Sequence, residues 1–118
     1  MVNNRLSSIK RNSDFLLLKK SGKKFWAASW LLIVIMKSSD KDAGLRLGVT
    51  TGKKVGNAVV RNKLKRWSKN FFREVNQSDP EFKADINVVF RPVSTEHYKN
   101  LKYQEFKSLL ETALSKIK

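Results

Sequence analysis

The sequence predicts an α+β fold, a small sheet with helices packed on one face, in the order α-β-β-α-β-α. Three observations carry this. Three segments, Phe25–Lys37, Leu45–Thr51 and Asp85–Arg91, have strand character. Two long stretches, Asn57–Val75 and Glu96–Ile117, repeat apolar residues at helical spacing. No repeat or low-complexity linker divides the 118 residues, so they read as one domain, 1–118, large enough to bury a core without staples.

Taken in order, Ser13 is placed to cap a short helix, Asp14 to Lys20, ended by Gly22. Phe25 to Lys37 reads as one long strand rich in Ile, Val and Trp, and alternation puts Trp26 and Trp30 on one face of it. Ser38 to Gly44 is a polar turn, with Asp40 and Asp42 as turn residues. In Leu45 to Thr51, Leu45, Leu47 and Val49 alternate with Arg46, Gly48 and Thr50, the period of a half-buried strand. Gly52 to Gly56 is a basic connection, and Asn57 caps the central helix. A loop around Asp79-Pro80 leads to the third strand, which Pro92 stops. Thr95 is placed to cap a last helix striped by Tyr98, Leu101, Phe106, Leu109, Leu110, Ala113 and Ile117.

The net charge of +15 belongs to one part of the chain. Residues 1–73 hold 18 Lys/Arg against the three acids Asp14, Asp40 and Asp42, while residues 74–118 hold seven of each sign. A one-signed surface repels itself, which points to a polyanionic partner, and nucleic acid fits better than a membrane or an acidic protein. The longest apolar run, Phe25 to Met36, is shorter than the roughly 20 residues a membrane helix needs. The first ten residues lack the apolar stretch of a signal peptide. The absence of cysteine removes disulfide scaffolds and Cys-ligated metal sites, and suits a cytoplasmic location.

The central helix separates its two jobs. At 100° per residue, Val60, Leu64, Trp67, Phe71 and Val75 fall within about 80° of one another and form the core stripe. Arg61, Asn62, Lys65, Arg66, Lys69 and Arg73 occupy an arc of about 140° on the far side, with Lys63 at the border. No acid sits at i±4 to neutralise this face, so it reads as a contact surface for RNA or DNA rather than a solvated stripe.

Other chemistry is thin. Gly52-Lys53 fails as a phosphate loop, because Leu47 stands where its first glycine belongs and Lys54 where the Mg²⁺-binding hydroxyl belongs. His97, the single histidine, has no second His or Cys for a metal and no positioned nucleophile. No catalytic constellation is borne by the chain, and no metal ligand can be named.

The segment Lys53-Lys54-Val55-Gly56-Asn57-Ala58-Val59-Val60-Arg61-Asn62-Lys63-Leu64-Lys65-Arg66 closely resembles the signature of the bacterial ribonuclease P protein family. That signature runs Lys-Lys-x-Gly-x-Ala-Val-x-Arg-Asn-Arg-Ile/Leu-Lys-Arg, and this chain departs from it once, with Lys63 for the middle arginine. Arg5-Leu6, Lys10-Arg11, Asp14-Phe15, Gly48-Val49, Arg91-Pro92, Tyr98 and the Leu-rich last helix extend the resemblance over nearly the whole chain.

The resemblance implies a ribosomal-protein-like fold with a left-handed βαβ crossover. It also implies a function as the protein subunit of an endonucleolytic ribonucleoprotein that removes the 5′ leader of precursor tRNA. The partners would be ribonuclease P RNA and precursor tRNA, with no membrane and no small-molecule cofactor. Catalysis would rest on the RNA subunit and on Mg²⁺ bound mainly there.

On the same resemblance, Lys53, Lys54, Asn57, Arg61, Asn62, Lys63, Lys65, Arg66 and Lys69 would face RNA, with Lys53 and Lys54 also near the leader. Lys63 keeps the charge of the family's arginine but loses its fork. The leader would lie in a cleft between the first helix and the sheet, touched by Phe15, Lys19 and Trp30. Lys19 stands where the family often has a second aromatic. The sequence leaves open whether Phe15 and the Trp26/Trp30 face line that cleft or the core. A ribosomal-type structured-RNA binder with no processing role would share the basic helix, though not the signature.

Overall fold

The computed structural model describes residues 6–37 and 44–117. The expected polar turn with Asp40 and Asp42 falls mostly outside them. The elements are β1 Ser7–Ser8, α1 Asn12–Ser21, β2 Lys23–Ala28, β3 Leu31–Lys37, β4 Leu45–Thr51, α2 Ala58–Ser78, β5 Ala84–Phe90, α3 Thr95–Asn100 and α4 Tyr103–Ile117. The five strands form one mixed sheet in the order β1-β4-β5-β3-β2. β4 runs parallel to both β1 and β5, and β3 pairs antiparallel with β2 and β5. α2 is the crossover that returns the chain from β4 to its parallel neighbour β5.

Strand alternation sorts the side chains onto two faces. Ile33, Ile35, Ile86, Val88 and Phe90 face the main core, built with Leu64, Phe71 and Phe72 of α2 and Phe106 and Leu110 of α4. Leu32 and Val34 point the other way and pack with Ile9 and Leu18, with Phe15 against them. Helices therefore cover both faces, α1 on one and α2 with α4 on the other, which corrects the one-face expectation. The short first helix carries too few buried residues to announce in sequence which layer it joins.

Three further expectations are corrected. The single strand over Phe25–Lys37 is a hairpin, turning at Ser29-Trp30. No Gly or Pro marks that turn. It is held by tertiary contacts: Trp30 packs against His97 and Tyr98 at ring-centroid distances of 4.6 and 5.7 Å, and its carbonyl accepts the Arg91 N–H at 2.9 Å. The single helix over Glu96–Ile117 is interrupted at Leu101, whose backbone is extended (φ −66°, ψ 130°) and whose side chain is buried. Its apolar stripe runs through the break, which hid it. Ser94 rather than Thr95 caps α3, accepting the His97 N–H at 3.2 Å. α1 begins at Asn12 with no side-chain cap, so Ser13 lies inside its first turn, while Gly22 does end it, donating to the Leu18 carbonyl at 2.7 Å.

Candidate nucleic-acid interface

α2 begins where the sequence places it. Asn57 Oδ1 accepts the Val60 N–H at 3.0 Å, satisfying one of the first-turn donors. Gly56 precedes this cap, and a Cβ there would stand 2.9 Å from Val60 Cγ1, so glycine lets the chain enter the helix tightly over a buried valine. Val55 is buried, anchoring a turn that leaves Lys53 and Lys54 exposed.

The core stripe is buried at Val60, Leu64 and Phe71 and half-buried at Trp67 and Val75. Asn62, Lys65, Arg66, Lys69 and Arg73 are exposed. The salt bridges among the described residues join Arg46 to Asp14 and Asp85, and Lys107 to Glu74. None involves a base between Lys53 and Arg73, so the face carries its charge unneutralised. The helix N-terminus, with no acid in its first turn, adds the positive end of its dipole beside Lys53 and Lys54.

Two signature bases are partly engaged within the protein. Arg61 is half-buried and its Nε donates to the Gly56 carbonyl at 3.2 Å, a bond that leaves the outer guanidinium edge unused. Lys63 Nζ donates to the Tyr98 carbonyl at 2.8 Å and lies 4.9 Å from the Trp67 ring centroid. Lys63 thus ties α2 to α3 at the edge of the basic face.

On the opposite side of the sheet, a cleft of about 750 Å³ opens between α1 and the strands. Phe15, Leu32, Val34 and Val89 form apolar parts of its lining, Lys19, Lys24 and Arg91 supply positive charge, and none of its lining residues is acidic. Phe15 is half-buried, packed over Gly48, so it belongs to both the small second core and the cleft. On the same cleft, Thr50 Oγ1 donates to Asn87 Oδ1 at 3.0 Å.

α1 is held over this face by a charge relay of fixed geometry. Arg46 forks onto the buried Asp85 (Nε–Oδ1 2.8 Å, Nη2–Oδ2 2.6 Å) and reaches Asp14 of α1 with Nη1 at 3.5 Å. The Asp85 bonds push the guanidinium pKa further above its ordinary value. Arg91 is clamped through its backbone. Its N–H donates to Trp30 and its carbonyl accepts the Tyr98 hydroxyl, while its side chain stays exposed at the cleft.

Trp30 is corrected. It is 9% exposed, lies in the main core and is not part of the cleft lining, because the hairpin turn points it away from the face that straight alternation implied. Lys24 and Arg91 were missed as cleft residues. The signal for Arg91 was present in Arg91-Pro92 at the end of a strand, but which face it served needed the sheet register.

The described residues contain no group of three or more His, Cys, Asp or Glu that could hold a metal, and Asp14 and Asp85 are both paired with Arg46. Among the described residues, no helix is long and apolar enough to cross a membrane.

The family model described as Ribonuclease P matches residues 4–118. Among curated relatives, the chain is 33% identical to the ribonuclease P protein component of Dictyoglomus turgidum over 86% of this chain and 81% of the relative. It is 34% identical to that of Alkaliphilus metalliredigens over 95% and 94%. Of solved structures, the ribonuclease P protein of Thermotoga maritima superposes with a TM-score of 0.78 at 28% identity, covering 95% of this chain and 98% of that one. The Staphylococcus aureus protein gives 0.70 at 30%, covering 94% of each.

Proposed function

Because the chain belongs to the ribonuclease P protein family, we propose that it works as the protein subunit of a ribonucleoprotein that removes the 5′ leader from precursor tRNA, with the bond-breaking centre on the RNA. Leader processing is the function of the family. Under this reading each face of the sheet meets a different RNA.

The exposed face of α2, with Lys53, Lys54, Arg61, Asn62, Lys65, Arg66 and Lys69, lies against ribonuclease P RNA. Arg61 and Arg66 fork onto phosphates and the lysines supply point charge. Lys63, held by Tyr98 and Trp67, contributes mainly by keeping α2 in register. Each phosphate neutralised releases counterions, so this contact weakens steeply with salt.

The cleft takes the single-stranded leader. Phe15 offers a ring for a base, and Lys19, Lys24 and Arg91 meet phosphates. Mg²⁺, in this reading, is held by RNA rather than by the chain, whose described residues offer no ligand cluster. The observation that carries the proposal is the placement of an unneutralised basic helix and an acid-free aromatic cleft on opposite faces of one sheet.

The test is a cleavage assay at low Mg²⁺ with precursor tRNA, the cognate ribonuclease P RNA and this protein, together and each alone. Cleavage only with RNA and protein combined is expected. Cleavage by the protein alone, or no stimulation by a folded, RNA-binding protein, would overturn it.

A further inference from the structure

A second groove, of about 320 Å³, opens where β2, one of the two edge strands, meets the C-terminal part of α4. Trp26, Lys24, Thr112 and Lys116 line it with smaller apolar residues, and no lining residue is acidic. Trp26 is 55% exposed, whereas Trp30 is 9% exposed and Trp67 packs against Tyr103 and Phe106. A single exposed indole is ordinary in a folded protein. Here three further observations converge on it.

Trp26 pairs across the hairpin with Leu32, a cleft residue, so it sits on the cleft face of the sheet. A register shift falls between Trp26 and Ala28, the kind of irregularity that re-aims a side chain. Lys24 lines both the cleft and the groove, so it stands where they approach each other at the edge of the sheet. A strand leaving the cleft past Lys24 meets the indole next on the same face, and reaches Lys116 of α4 by turning over the edge of β2. An aromatic platform flanked by lysines is the chemistry that binds a single strand, by stacking a base and holding its phosphates.

We infer that Trp26, with Lys24 and Lys116, forms a distal subsite for single-stranded RNA, holding leader nucleotides farther from the cleavage site than those in the cleft. This rests on the reading of the cleft as the leader site.

The experiment measures affinity of the assembled holoenzyme for precursor tRNAs whose leaders are lengthened one nucleotide at a time. Wild type gains affinity in two stages, first within the cleft and then beyond it. Trp26→Ala loses the second stage, roughly tenfold on the longest leaders, and matches wild type on leaders that end inside the cleft. Trp26→Phe keeps most of the second stage. Lys116→Ala loses a smaller part, and that loss shrinks as salt rises. Thermal unfolding of each variant confirms the fold.

Equal gain in wild type and Trp26→Ala overturns this inference and leaves the cleft reading standing. Absence of any gain with leader length in wild type overturns both. Weaker binding of Trp26→Ala to ribonuclease P RNA, with no dependence on leader length, assigns the groove to the catalytic RNA and also overturns it.

Discussion

The ring of Phe15, on α1, fills the space that a Cβ on Gly48, in β4, would occupy: a methyl there would stand 2.7 Å from Cζ and closer still to Cε1. The cleft's aromatic wall is therefore set by a missing side chain on the strand beneath it. Gly48→Ala is expected to push the ring outward and cost about 1–3 kcal/mol, as overpacking does. Urea unfolding reads the stability loss. Precursor affinity should fall with it, while affinity for ribonuclease P RNA holds.

Phe15→Ala removes the ring itself. The residue is half-buried, so the stability loss should be below the roughly 3–5 kcal/mol of a full core Phe→Ala change. Its larger effect should be on discrimination: precursor tRNA loses about 1–3 kcal/mol of binding, the worth of one stacked base, and mature tRNA loses little. Equal losses for both RNAs, measured with the holoenzyme, would make Phe15 a packing residue only.

On α2, combined Arg61→Ala, Lys65→Ala and Arg66→Ala should leave the fold intact, since these positions lie off the core stripe. Affinity for ribonuclease P RNA should drop. The slope of log affinity against log salt should become shallower by about 2–3, roughly one for each phosphate no longer neutralised. An unchanged slope in a salt titration would remove this face from the interface.

These residues also show what was legible in the chain. The α2 cap at Asn57, its core stripe and its exposed bases follow from spacing alone, because a long helix with separated faces writes its geometry into sequence. The cleft was legible in part. Phe15 and Lys19 line it, but Lys24 and Arg91 arrive there through strand register, and Trp30 leaves it through an unpunctuated turn. Long-range pairing fixes those positions, and no local pattern reports it.

Arg46→Ala should be the most destabilising of the single changes considered. It leaves the Asp85 carboxylate, 2% exposed, buried without its fork and frees Asp14 of α1. Removing one partner of a buried pair costs about 3–5 kcal/mol. Adding Asp85→Asn should recover part of this, and a double-mutant cycle in urea measures how much.

Alkaline pH should weaken the fold through Tyr98. Burial pushes its hydroxyl from 10.0 up to about 12, so the folded state keeps a proton that the unfolded state releases. The stability this provides is complete below about pH 10, and is lost as pH rises through about 12. Tyr103 is raised in the same direction by burial, so the comparison is wild type against Tyr98→Phe. Unfolding midpoints in that window should fall less steeply for the variant, which has no phenol to titrate.

The outermost strands have one further consequence. β1 is only two residues long, and β2 presents Lys23 and Lys24 and then breaks register between Trp26 and Ala28. A sheet margin that is short, charged or kinked makes a poor template for another chain's backbone. Neither margin of the described sheet therefore offers a second copy of the chain a long, flat edge to extend.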